Sequence, residues 1–154
     1  MSEHPVIGFT GTRSGMTPEQ KVTVTRLLAN VPIGSTGVHG DCIGADADFD
    51  AICTELNIKT SCRPCTFDNM RAHTGAEQIA PPKPPMQRNR DIVADVTQDG
   101  ALLACPPNYE RLAKGSGTWA TIGFGVRARK QVIIIFPDGT TREIATEALT
   151  SPPK

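Results

Sequence analysis

Four apolar runs in this chain are followed by polar or glycine-bearing turns, and helix-like segments come between them. Val6 to Thr10 runs into Gly11-Thr-Arg-Ser-Gly15, and Ser35 to His39 into Gly40-Asp-Cys-Ile-Gly-Ala-Asp46. Ala101 to Cys105 leads through a loop to Gly115-Ser-Gly-Thr118, and Gln131 to Phe136 is followed by Pro137-Asp-Gly139. Repeated strand, turn and helix specify an α/β sheet with helices on both faces. The continuous apolar run 131–136 suits a central parallel strand covered on both sides. The expected fold is a Rossmann-like three-layer sandwich with a mostly parallel sheet of about five strands, Ile58 to Cys62 supplying the fifth. In such sheets ligands sit beyond the carboxyl ends of the strands, so turns 11–15, 39–46, 105–118 and 137–139 should converge.

The helices are marked by their starts and their spacing. Thr17-Pro-Glu-Gln20 offers an N-cap, a proline at the first helical position and an acid-amide first turn. Further helices are expected over 45–56, 86–96 and 118–129, where apolar residues recur at helical intervals. Residues 63–85 hold five prolines and little periodicity, which predicts a long loop with about one helical turn. Residues 145–154 read as a tail, and the whole chain, 1–154, as a single domain.

Sixteen basic and sixteen acidic residues cancel, so any nucleic-acid binding would have to come from a local patch. The apolar runs are too short to span a bilayer and the first residues lack a secretory pattern, which gives a cytoplasmic expectation. Five cysteines are then expected to be reduced. Cys62-Arg-Pro-Cys65 has redox or metal spacing, but no second ligand pair accompanies it, so the two are read as loop thiols and no metal site is assigned.

The candidate binding residues lie on the turns. At Gly115-Ser-Gly-Thr118, glycines let the backbone approach a ligand, and the first amides of a helix have no partner within it. Gly11, Thr12 and Arg13 resemble a phosphate loop without the P-loop spacing, and the Arg13 guanidinium suits a phosphate or carboxylate. Gly40, Asp41 and Asp46 form the next turn, where either acid could accept from a ribose or base. Asp48 and Asp50 are assigned a solvated or capping role at the helix start. Of Arg88-Asn-Arg90, Arg88 has Asp91 and Asp95 at helical offsets to pair with, whereas Arg90 has no local acid. Arg90, with Asn89 beside it, is therefore the expected phosphate ligand. Tyr109 is the better candidate for stacking on a base and Trp119 for core packing, and His39 and His73 have no evident partner.

Taken together, Gly8-Phe-Thr-Gly-Thr-Arg13, His39-Gly-Asp-Cys-Ile-Gly-Ala-Asp46, Arg88-Asn-Arg-Asp-Ile-Val93, Gly115-Ser-Gly-Thr118 and Pro137-Asp-Gly139 resemble the SLOG superfamily. That group includes the nucleotide-binding core of DNA-processing protein A, the LOG-type phosphoribohydrolases and small YpsA-like bacterial or phage proteins. The resemblance implies a nucleotide or nucleotide-derived phosphorylated ligand at the strand ends and, often, a homodimer or higher homo-oligomer. It implies no required cofactor; magnesium enters only as a companion of a phosphorylated ligand. The LOG enzymes carry a glutamate after Gly-x-Gly-Thr, where this chain has Ala120 and Thr121, which argues against that hydrolase. DNA-processing relatives often carry a histidine where this chain has Asp50. Binding or sensing of such a ligand is the leading reading. An N-glycosidic hydrolase or transferase using Asp41 or Asp46 is second, and single-strand nucleic-acid binding third, disfavoured by the charge balance and few aromatics.

Overall fold

The computed structural model describes residues 4–111 and 117–144. Seven strands form one sheet in the order β4-β3-β2-β1-β5-β6-β7. They are β1 (Val6–Gly11), β2 (Thr36–His39), β3 (Lys59–Cys62), β4 (Gln78–Ile79), β5 (Leu102–Cys105), β6 (Val132–Ile135) and β7 (Thr141–Ile144). All neighbours run parallel except β6 and β7. The helices are α1 (Pro18–Ala29), α2 (Ala45–Glu55), α3 (Pro85–Asp95) and α4 (Gly117–Arg127). Among the described residues no helix is long and apolar enough to cross a membrane.

The layers follow from the two-residue period of the strands. Ile7, Phe9, Leu103, Cys105, Ile133 and Ile135 face one way, against Val24 and Leu28 of α1 and Phe49 and Cys53 of α2. The alternate residues Leu102, Ala104, Val132 and Ile134 face the other way, against Ile92 and Val93 of α3 and Ile122 of α4. Because β5 and β6 are buried on both faces, they read as unbroken apolar runs, as the sequence suggested. Helix α1 starts as expected: the Thr17 hydroxyl accepts from the Gln20 amide at 3.0 Å and the Gln20 side chain accepts from the Thr17 amide at 2.9 Å.

Two strands go beyond the five expected, and both lie at edges. β4 is two exposed residues inside the proline-rich stretch, and β7 is an exposed Thr-Arg-Glu-Ile hairpin partner of β6. Neither buries a face, so neither shows the apolar signature of a strand. The expected helical turn in that stretch is a 3-10 turn at Asp68–Met70.

The strand order carries a functional consequence. The chain lays down β1 to β4 towards one edge and returns to place β5 against the open side of β1. Between β1 and β5 the winding reverses, and the crevice beyond such a reversal is where doubly wound sheets take their ligands.

Candidate functional site

A cleft of about 290 Å³ opens at that reversal. It is lined by Thr10 to Arg13 at the end of β1 and just beyond it, Gly40, Cys42 and Asp46 after β2, and Gly117 and Thr118 at the start of α4. The start of α3 adds Met86, Arg88 and Asn89, and Met70 enters from the 3-10 turn.

The two glycine turns are locked together by backbone contacts that a side chain would block. The Thr12 carbonyl accepts from the amides of Gly15 at 3.2 Å and of Ala45 at 3.0 Å, tying the first turn to α2. Gly44 has a φ of +97°, and a Cβ there would stand 2.2 Å from the Arg13 carbonyl oxygen. Glycine is required on both counts.

Asp46, in the first turn of α2, is buried, and its Oδ2 accepts the amides of Gly40 and Cys42 at 3.1 Å each. Burial pushes its carboxyl up, against the opposing pull of the Cys42 amide and Arg88. Arg88 is also buried, at 5% exposure. Its Nε donates to Asn89 Oδ1 at 2.8 Å, and its Nη1 to the carbonyls of Gly40 at 2.6 Å and Arg63 at 3.3 Å. Nη2 reaches Cys42 Sγ at 3.4 Å. The guanidinium therefore holds the Gly40 turn in place and keeps a positive charge at the cleft. Burial, with Asp46 nearby, pushes the Cys42 thiol up to about 11, so it remains protonated at neutral pH.

Of the residues singled out from sequence, Gly11, Thr12, Arg13, Gly40, Asp46, Asn89, Gly117 and Thr118 line this cleft. Gly115 and Ser116 lie outside the described residues. Arg90 is elsewhere: its guanidinium sits 4.7 Å from the Phe124 ring centre, beside a separate hollow between α3 and α4. Of the two arginines, it is Arg88 that lines the cleft, whereas the sequence pointed to Arg90. Asp91 and Asp95, reserved for Arg88 by helical spacing, instead bind Lys83 and Arg63 of the proline-rich stretch. That leaves Arg88, two residues and about 200° round the helix from Arg90, to point inward.

Asp41 does not line the cleft. Its backbone is left-handed, with a φ of +57°, and its carboxylate turns to the proline-rich stretch. Arg71 Nε donates to Oδ2 at 3.0 Å, and the Thr74 amide and hydroxyl donate to Oδ1 at 2.9 Å each. Burial alone would raise this carboxyl, but the bonds from Thr74 and Arg71 outweigh it and hold it below the ordinary carboxylate range. With the Ala72 amide on the Asp41 carbonyl and the Ile43 amide on that of Met70, residues 68–74 are braced against the Gly40 turn. The stretch read as loop is therefore a built wall of the site.

A second pair escaped the sequence reading. His39, fully buried, meets Asp50 Oδ2 through Nε2 at 2.7 Å, while its Nδ1 accepts the Asp41 amide at 2.9 Å. The amide fixes the tautomer, so Nε2 carries the proton that Asp50 receives. Asp50 is thus a buried partner rather than a solvated acid, since α2 lays it over the end of β2. Asp48 accepts the Met16 amide at 2.9 Å, which links α2 to the first turn. Cys62 lies in β3 rather than in a loop, and both it and Cys65 are buried free thiols. Among the described residues no group of three or more His, Cys, Asp or Glu gathers as a metal site.

No protein-family model matches the chain, and no curated protein matches it either. Among solved structures it is similar to the molybdenum cofactor binding protein from the phototrophic bacterium Rippkaea orientalis. The TM-score is 0.68 at 16% identity, covering 88% of this chain and 78% of that one. The likeness supports the α/β Rossmann-like architecture.

Proposed function

We propose that the cleft binds a nucleotide or a nucleotide-derived phosphorylated ligand. The observation that carries this reading is the meeting of two glycine turns, the first turn of α4 and a buried arginine in one cleft at the winding reversal. The first amides of a helix are not consumed by its own ladder, and with a guanidinium beside them they form a seat for a phosphoryl group. Arg13 is exposed at the rim, and among the described residues its side chain donates to Met70 Sδ at 3.7 Å, a weak bond that an anion can displace. A volume near 290 Å³ stands at the lower end of small-molecule sites, about 300–1,000 Å³. The ordered motifs resembling the SLOG superfamily support the same class of ligand. So does a protein of like fold named for binding the molybdenum cofactor.

Calorimetry on the parent and on Arg13→Ala tests this reading, using nucleoside monophosphates, nucleoside diphosphates and the molybdenum cofactor. Saturable binding weakened roughly 10-fold or more by the substitution, the scale of one charge-assisted hydrogen bond, is expected. No saturable binding across the panel would refute it.

One observation favours a second reading, cleavage or transfer at an N-glycosidic bond. Asp46 lines the cleft, and burial favours its protonated form. Those are properties of a general acid. Release of free base from a nucleoside monophosphate, lost in Asp46→Asn, would establish it; an inert parent would remove it. Asp41 has no comparable opening, because Arg71 and Thr74 occupy both its oxygens.

A further inference from the structure

The cleft has two chemical halves. Thr12, Arg13, Gly40, Arg88 and Thr118 present polar groups, whereas Met70, Pro85 and Met86 present apolar surface drawn from two separate elements. Met86 stands 46% exposed at the first turn of α3, where its side chain borders the opening. Met70, by contrast, is held: its carbonyl accepts the Ile43 amide at 3.1 Å, its amide donates to Phe67, and Asp41 clamps the following residues. A braced thioether and an exposed one thus border the same opening. Tyr109 and Trp119 are not among its lining residues. Tyr109 lies on Phe136 with ring centres 5.6 Å apart, and Trp119 donates to Asn108 Oδ1 at 2.6 Å. Phe9, the one aromatic among the described residues that line the cleft, is fully buried and stacks on Phe49 at 4.6 Å.

We infer that Met70, Pro85 and Met86 form a subsite for a flat, polarisable heterocycle, the ring portion of the ligand whose phosphate the polar half receives. The inference rests on the phosphate-ligand reading and adds to it which end of the molecule is recognised by which wall. Thioethers are flexible and polarisable, and they make favourable contacts with aromatic faces and edges without demanding one hydrogen-bond pattern. The Arg13 guanidinium, beside Met70 Sδ, can lie along a ring as readily as it meets a phosphate. A wall of this kind selects for the presence of a ring more strongly than for its identity.

The test is a titration of the full chain with AMP, GMP, CMP and UMP, alongside ribose 5-phosphate and inorganic phosphate. It is repeated on the Met70→Ala/Met86→Ala double variant and on Met86→Ala alone. The parent should bind at least one nucleoside monophosphate 10-fold or more tighter than ribose 5-phosphate. The double variant should lose most of that margin while keeping its ribose 5-phosphate affinity within about two-fold, which also shows that it is folded. Met86→Ala, at a half-exposed position, should lose part of the margin. Equal binding of ribose 5-phosphate and every nucleoside monophosphate by the parent overturns the ring subsite and leaves the phosphate reading standing. So does a margin that survives both truncations. No binding of any probe overturns both.

Discussion

Replacing Arg88 by Met tests whether the buried guanidinium is a structural brace as well as a charge. The substitution keeps an unbranched stem and removes every donor. Two of the bonds it breaks are short, to the Gly40 carbonyl at 2.6 Å and to Asn89 Oδ1 at 2.8 Å. Hydrogen bonds from a charged donor are worth about 1.5–3 kcal/mol each, or about 3–6 kcal/mol for the two. The cleft admits water to the vacated carbonyl, so a net loss of about 2–4 kcal/mol is expected. In a domain of this size that lowers the melting temperature by about 5–12 °C. Urea unfolding read by circular dichroism measures it, with Arg88→Lys alongside. Lysine keeps the positive charge but cannot span both acceptors, so it should recover only part of the loss. A loss below about 1 kcal/mol in Arg88→Met would refute the bracing role.

Other perturbations probe the neighbouring contacts. Asp41→Asn tolerates the left-handed backbone but gives up the charge that Arg71 and Thr74 surround. Because the folded carboxyl is held below its ordinary range, the stability it contributes is present above about pH 4 and fades as pH falls through the folded value. The variant should be about 1–3 kcal/mol less stable at pH 7, with the gap narrowing in acid unfolding curves. Asp46 has the opposite sign: burial raises its carboxyl, so the parent should lose stability relative to Asp46→Asn as pH rises from about 4. A gap that does not change with pH would contradict the burial argument. Gly44→Ala must place a Cβ 2.2 Å from the Arg13 carbonyl at a φ of +97°, so it should cost more than about 1 kcal/mol in denaturant unfolding. Asp50→Ala strands the buried His39 donor and should cost about 1–3 kcal/mol, measured the same way.

The sheet centre was legible in the sequence because strands buried on both faces must be apolar throughout, and β5 and β6 are. The start of α1 was legible because Thr17, Pro18 and Gln20 satisfy local rules that depend on no distant residue. β4 and β7 were hidden because edge strands with exposed side chains need no apolar pattern. The Arg88 and Arg90 exchange shows where local reasoning ends. Helical offsets assigned Asp91 and Asp95 to Arg88, but Lys83 and Arg63, brought in from the proline-rich stretch, bind them instead. His39 and Asp50 stand eleven residues apart, on a strand and a helix, and no periodicity within either element pairs them. Pro81 and Pro82 do mark irregular backbone, yet the Asp41 clamp that orders residues 71–74 is a long-range contact with no local signature.

The most direct test of the central claim is a ¹H–¹⁵N spectrum recorded while a nucleoside monophosphate is titrated into the protein. If the cleft between β1 and β5 seats the phosphate, the amides of Gly11 to Arg13, Gly40 to Cys42 and Gly117 to Thr118 should shift together and saturably. Shifts confined to the Arg90 and Phe124 face, or no saturable shift at all, would contradict it.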